Sequence, residues 1–120
     1  QEKLNKWKEM DVAYIYNGRT KQNMPMYFQF YENCIANADR LNIQNAVVKM
    51  NIPHLIVHGS EDSTVLLAEA ECMKSWNRNT HLHIIEGSDH VLGGFHPYDL
   101  EKFSKDLQEA IDVTIKFLKR

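Results

Sequence analysis

No apolar run in this 120-residue chain approaches the roughly 20 residues that a helical bilayer span needs, so no membrane partner is expected. Positive charge is in no excess, with 14 Lys and Arg against 16 Asp and Glu for a formal net charge of -2. That balance makes no electrostatic case for nucleic acid or an anionic membrane surface. Cysteine is scarce. Cys34 and Cys72 are the only two, too few for a disulfide framework, which favours a reducing compartment and a cytoplasmic location. Both fall at apolar positions of expected helices, where buried free thiols are common. Repeats and low-complexity segments are absent. The first residues, Gln1-Glu2-Lys3, form neither a signal peptide nor a natural initiation site, so the chain reads as a piece of something longer.

What is present suits one globular domain with a real core: 43% of residues are hydrophobic and 25% charged. Residues 2 to 10 read as a short amphipathic helix with Leu4 and Trp7 on one face. Val12 to Tyr16 is a β-branched and aromatic run closed by Asn17-Gly18, a strong turn signal. Arg19 to Asn23 reads as loop, and Pro25 as the first turn of a helix. Phe28, Tyr31, Cys34, Ile35, Ala38 and Leu41 continue that helix at three- and four-residue spacing. A short helix from about Ile43 to Met50 is broken by Asn51-Ile52-Pro53. Pro53 then introduces a buried strand ending at His58-Gly59.

Leu66, Leu67, Ala70, Met73 and Trp76 form one helical stripe in the stretch Val65 to Trp76. A second buried strand runs from about Thr80 to Glu86, and a glycine-rich loop with His90 and His96 follows. The chain closes with a helix expected from about Asp99 to Leu118, burying Leu100, Phe103, Leu107, Ile111, Ile115 and Leu118. The fold class expected is α/β.

The two buried strands organise the functional reading. Each stops at a glycine and presents an ionisable group three residues later: Asp62 after Gly59, His90 after Gly87. Strand, helix, strand of this length is a parallel crossover, which puts both strand ends on one sheet edge. Sites in open parallel sheets form beyond those carboxyl ends. A carboxylate bonded to one imidazole nitrogen fixes the tautomer and frees the other nitrogen as a general base. Such a pair needs a nucleophile. Ser60, Ser63 and Ser88 are at hand, but none sits on a G-x-S-x-G elbow, which the chain lacks.

The stretch Ile52-Pro53-His54-Leu55-Ile56-Val57-His58-Gly59-Ser60-Glu61-Asp62 resembles the α/β-hydrolase segment that ends in the triad acid. Ile84-Ile85-Glu86-Gly87-Ser88-Asp89-His90 resembles the one that ends in the triad histidine, in the family's order of Asp before His. Residues 1–50, through Asn17-Gly18-Arg19-Thr20 and Met24-Pro25-Met26, more loosely resemble the cap and connecting helices of relatives of dienelactone hydrolase and the prolyl oligopeptidase catalytic domain. The resemblance implies the C-terminal portion of an α/β-hydrolase fold: parallel strands with flanking helices over residues 51–120, and a partial cap over 1–50. It implies a serine hydrolase acting on a small ester or peptide without a cofactor, with Asp62 and His90 as triad acid and base and the nucleophile outside this chain.

Blander readings stand beside these. Asp62 can be a turn aspartate bonding nearby amides, and His90 a loop histidine without a catalytic partner. Glu61 and Asp89 read as solvent-facing or loop-bonding neighbours, and His58 as a structural residue bonding the loop. His81 and His83 share a strand face, which raises a metal site with His90 or His96, but no Cys or carboxylate completes a known ligand spacing and none is expected. The run Tyr27-Phe28-Gln29-Phe30-Tyr31 suits core packing better than a substrate pocket. The alternative to an enzyme is a non-catalytic interaction module, since an open edge at His54–His58 favours self-association into a homo-oligomer.

Overall fold

The computed structural model describes residues 1–99 and 101–119. Contacts divide the chain into two units, Gln1–Ile43 and Gln44–Arg120, a little ahead of the boundary expected after residue 50.

In the first unit, α1 (Glu2–Met10) leads into a hairpin of β1 (Val12–Asn17) and β2 (Gln22–Tyr27). The Asn17 side chain makes the turn: its Oδ1 accepts from the amides of Arg19 at 3.0 Å and Thr20 at 3.2 Å. Residues 22–27, expected as loop and helix start, instead pair antiparallel with β1, from Val12 opposite Tyr27 to Asn17 opposite Gln22. Pro25 sits opposite Tyr14 within this ladder. A two-stranded sheet makes both strands edges, so a proline there need not cost a ladder bond.

The expected long helix is therefore shorter and divided into α2 (Gln29–Ala36) and α3 (Ala38–Leu41). Asn37 breaks it at φ -114°, ψ 21°, with its Nδ2 donating to the Asn33 carbonyl at 2.9 Å. The unit's buried apolar residue is Phe28. Its ring meets Trp7 edge-on at 5.5 Å and Tyr31 at 5.4 Å, while Trp7 Nε1 donates to the Met26 carbonyl at 2.8 Å.

The second unit contains α4 (Ile43–Lys49), β3 (His54–Gly59), α5 (Leu67–Trp76), β4 (Thr80–Ile85) and α6 (Lys105–Leu118). β3 and β4 pair in parallel, from His54 opposite Thr80 to Gly59 opposite Ile85, with α5 as the crossover. Both α5 and α6 pack against both strands. Buried Asn77 ties α4 to the turn before β4: its Nδ2 donates to the carbonyls of Val47 at 2.6 Å and Met50 at 2.7 Å, and its Oδ1 accepts from the Asn79 amide at 2.8 Å. A buried amide so saturated carries no desolvation debt. Among the described residues, Val47, Ala70, Ile85 and Ala110 are the buried apolar side chains here.

α6 starts later than the apolar spacing suggests because Ser104 caps it, accepting from the Leu107 amide at 3.1 Å. Phe103, Ile115 and Leu118, expected on the inner face, are exposed, whereas Ala110 is buried and Leu107, Ile111, Val113 and Phe117 are half-buried. Leu100 lies outside the described residues. Cys72 is also exposed, because it falls off the stripe of Leu67, Ala70, Met73 and Trp76. Cys34 is half-buried, and both thiols are free. No helix among the described residues is long and apolar enough to cross a membrane.

Candidate active site

The parallel pair ends in two loops that are stitched together by backbone. The Ser60 amide donates to the Ile85 carbonyl at 3.0 Å, and the Glu61 amide to the Ser88 carbonyl at 2.9 Å. Ser60 Oγ accepts from the Gly87 amide at 2.8 Å. Gly59 makes this approach possible. A Cβ there would collide with the Ser88 carbonyl and lie 2.9 Å from the Asp89 carbonyl oxygen. Gly87, at φ 74°, supplies the left-handed residue that turns the second loop out of β4.

These loops bring Asp62 and His90 together. Asp62 Oδ2 lies 2.8 Å from His90 Nδ1. A carboxylate only accepts, so Nδ1 carries the proton and donates it to Asp62, leaving Nε2 with the lone pair in the neutral ring. The other oxygen, Oδ1, accepts from the amides of Thr64 and Val65, each at 2.8 Å. Asp62 is thus a turn aspartate and a histidine partner at once, one oxygen for each role. Burial pushes its carboxyl up, but the Val65 amide, the His90 imidazole and the Thr64 amide outweigh it and lower the carboxyl from 3.8 to about 2. The carboxylate is therefore ionised across the physiological range.

The pair is asymmetric in exposure. The Asp62 side chain is 6% exposed and the His90 side chain 50%. The acid is sequestered, while the imidazole stands at the surface of a cavity of about 220 Å³ lined by Val57, His58, Val65, Leu92 and the pair itself. Among the described residues no serine or cysteine bonds to His90. Ser60 is engaged with Gly87, Ser63 is exposed, and Ser88 is fully buried with its hydroxyl unpartnered.

The neighbouring groups have separate tasks. Asp89 Oδ1 accepts from the amides of Val91 at 3.1 Å and Gly93 at 3.0 Å, shaping the loop rather than facing His90. Glu61 is exposed. His81 stacks edge-on against Phe117 at 5.8 Å, and His83 Nε2 lies 2.8 Å from Glu109 Oε1, so α6 occupies both imidazoles. Among the described residues no group of three or more His, Cys, Asp or Glu is placed to hold a metal ion.

One residue has a larger part than its sequence suggests. His58 Nε2 lies 3.6 Å from Asp62 Oδ2, the oxygen that His90 also uses. The available signal was its position four residues before Asp62 across a tight turn, which apolar strand patterning hides. No protein-family model matches this chain, and no curated protein is similar enough to count as a relative.

Proposed function

We propose that this chain supplies the acid and the histidine of a serine hydrolase, as the C-terminal portion of an α/β-hydrolase fold, with residues 1–50 as partial cap. The observation that carries the reading is the 2.8 Å contact between Asp62 Oδ2 and His90 Nδ1. The parallel pairing of β3 and β4, which sets both loops at one sheet edge, supports it. The nucleophile comes from a serine outside these 120 residues.

In that reaction His90 Nε2 takes the proton from the serine hydroxyl as its oxygen attacks the carbonyl of an ester or amide. The same proton passes to the departing alcohol or amine as the acyl-enzyme forms. His90 next takes a proton from water, whose oxygen attacks the acyl carbon, and returns it to the serine. Throughout, Asp62 keeps the ring in the Nδ1–H tautomer and stabilises the imidazolium.

The test compares two proteins in a fluorogenic ester assay: the natural gene product and the 120-residue chain alone. The natural product turns over ester, and Asp62→Asn lowers its kcat about 10⁴-fold. The chain alone gives no turnover. A natural product whose hydrolysis survives His90→Ala sinks the proposal, as does hydrolysis by the chain alone that His90→Ala abolishes, since the nucleophile would then lie inside it.

A second reading, a non-catalytic interaction module, is favoured by the open edge of β3, which pairs only with β4 among the described residues. It predicts a dimer of two copies joined at that edge in light scattering. A monomer at high concentration removes it.

A further inference from the structure

His58 borders the acid–imidazole pair, and no step of the proposed reaction uses it. Its side chain is 11% exposed. Nδ1 lies 2.9 Å from the Gly59 carbonyl oxygen, an acceptor only, so Nδ1 carries the proton. Nε2 is buried without a hydrogen-bond partner. It lies 3.6 Å from Asp62 Oδ2, the oxygen that accepts from His90 Nδ1 at 2.8 Å. In the neutral ring a lone pair therefore faces the carboxylate at a distance beyond a hydrogen bond. A second proton replaces that lone pair with an N–H donor 3.6 Å from Oδ2.

We propose that His58 is a positioning residue that acts through Asp62: neutral, it leaves Oδ2 to His90, and doubly protonated, it competes with His90 for that oxygen. The proposal rests on the reading of Asp62 and His90 as catalytic acid and base. One carboxylate oxygen cannot compensate two neighbouring imidazolium rings as well as one, so the two charged rings compete for it. His90 must carry positive charge during proton transfer, and His58 sets how much of Asp62 is available then.

The surroundings leave this coupling to three groups. Asp62 faces His58 from the loop after β3, and His90 and Asp89 line the same cavity from the loop after β4. Asp89 is occupied by the Val91 and Gly93 amides. The residue opposite His58 in β4 is the apolar Ile84, and among the described residues no hydrogen bond or ion pair joins His58 to α5 or α6.

Imidazole nitrogen resonances of the isotope-labelled chain, followed across pH, test this without reference to hydrolysis. In the wild type the His90 curve shows two steps, one coinciding with the titration of His58. His58→Asn keeps an N–H donor for the Gly59 carbonyl and removes Nε2, and there the extra step is lost. Asp62→Asn alters the His90 curve and removes the downfield His90 Nδ1–H resonance, because the charge-assisted bond to the carboxylate is gone. A His90 curve unchanged in His58→Asn overturns the proposal alone, provided that Asp62→Asn alters it. If Asp62→Asn leaves His90 unaltered, the acid–imidazole pair and the hydrolase reading fall together. Should His58→Asn not fold, a single-step His90 curve in the wild type is overturning by itself.

Discussion

The two sheets of this chain are both two-stranded, yet they are built by opposite means. β1 and β2 pair across residues 18–21, and one side chain, Asn17, organises the reversal. Tyr14, Ile15 and Tyr16 remain exposed on that hairpin. β3 and β4 pair residues 26 apart, as in His54 with Thr80, and need a helix between them. The antiparallel pair costs little chain entropy and places nothing chemical at its ends. The parallel pair brings two distant loops to one edge, and the candidate site lies there. Locality makes a hairpin easy to form; non-locality gives the crossover its capacity to assemble a site.

Substituting Gly59 at the end of β3 and Gly18 in the turn between β1 and β2 exposes this difference most sharply. Gly59→Ala drives a Cβ into the Ser88 backbone and is expected to cost about 3 kcal/mol in urea unfolding, near the upper end for overpacking. Gly18→Ala meets nothing within 4 Å and is expected to stay within about 0.5 kcal/mol of the parent. Equal costs at the two glycines would show that the loop interlock is not the tight point of the fold.

Acid is the next probe, and it reaches the parallel pair through Asp62. Because the Asp62 carboxyl falls from 3.8 in the unfolded chain to about 2 in the folded one, the unfolded state binds its proton first as pH drops. The stabilisation is complete above 3.8 and is lost as pH falls toward 2. Asp62→Asn should flatten that limb of the stability profile measured by chemical unfolding. An unchanged limb would place the acid sensitivity elsewhere.

Smaller effects follow at the cap and the turn. Ser104 caps α6 and also donates to the Leu92 carbonyl at 2.6 Å, holding the His90 loop to the helix start. Ser104→Ala is expected to cost about 1.5 kcal/mol, for a lost cap and a lost loop bond together. Asn17→Ala removes two exposed turn bonds and should cost about 0.5 kcal/mol in the same measurement. If Asn17→Ala proved the costlier, turn chemistry rather than loop packing would dominate stability.

The readable parts of the fold were those whose signals are periodic and strongly bounded. Leu4 and Trp7 marked α1, and of the stripe Leu66, Leu67, Ala70, Met73 and Trp76, all but the exposed Leu66 lie on the buried or half-buried side of α5. The runs before Gly59 and Gly87 marked β3 and β4. The expected positions failed where a local bond outranked periodicity. Pro25 read as a helix start because its fixed φ suits one, but Asn17 had already folded the chain into a ladder that Pro25 joins as an edge residue. Phe103 matched the spacing of α6, yet the Ser104 hydroxyl begins the helix one residue beyond it.

The sequence by itself determined that a carboxylate and an imidazole would follow two strands, since apolar runs, glycines and the intervening helical stripe are local features; the strands expected as buried are mostly half-buried. Only the tertiary structure decided which oxygen of Asp62 meets His90, and that the Thr64 and Val65 amides hold the other. It also decided that His58 turns its second nitrogen toward the same carboxylate. The physical reason is one of range. Strand and helix propensities act over a few residues, whereas the aim of a side chain across 28 residues depends on how closely two backbones approach, here at Gly59 and Ser88.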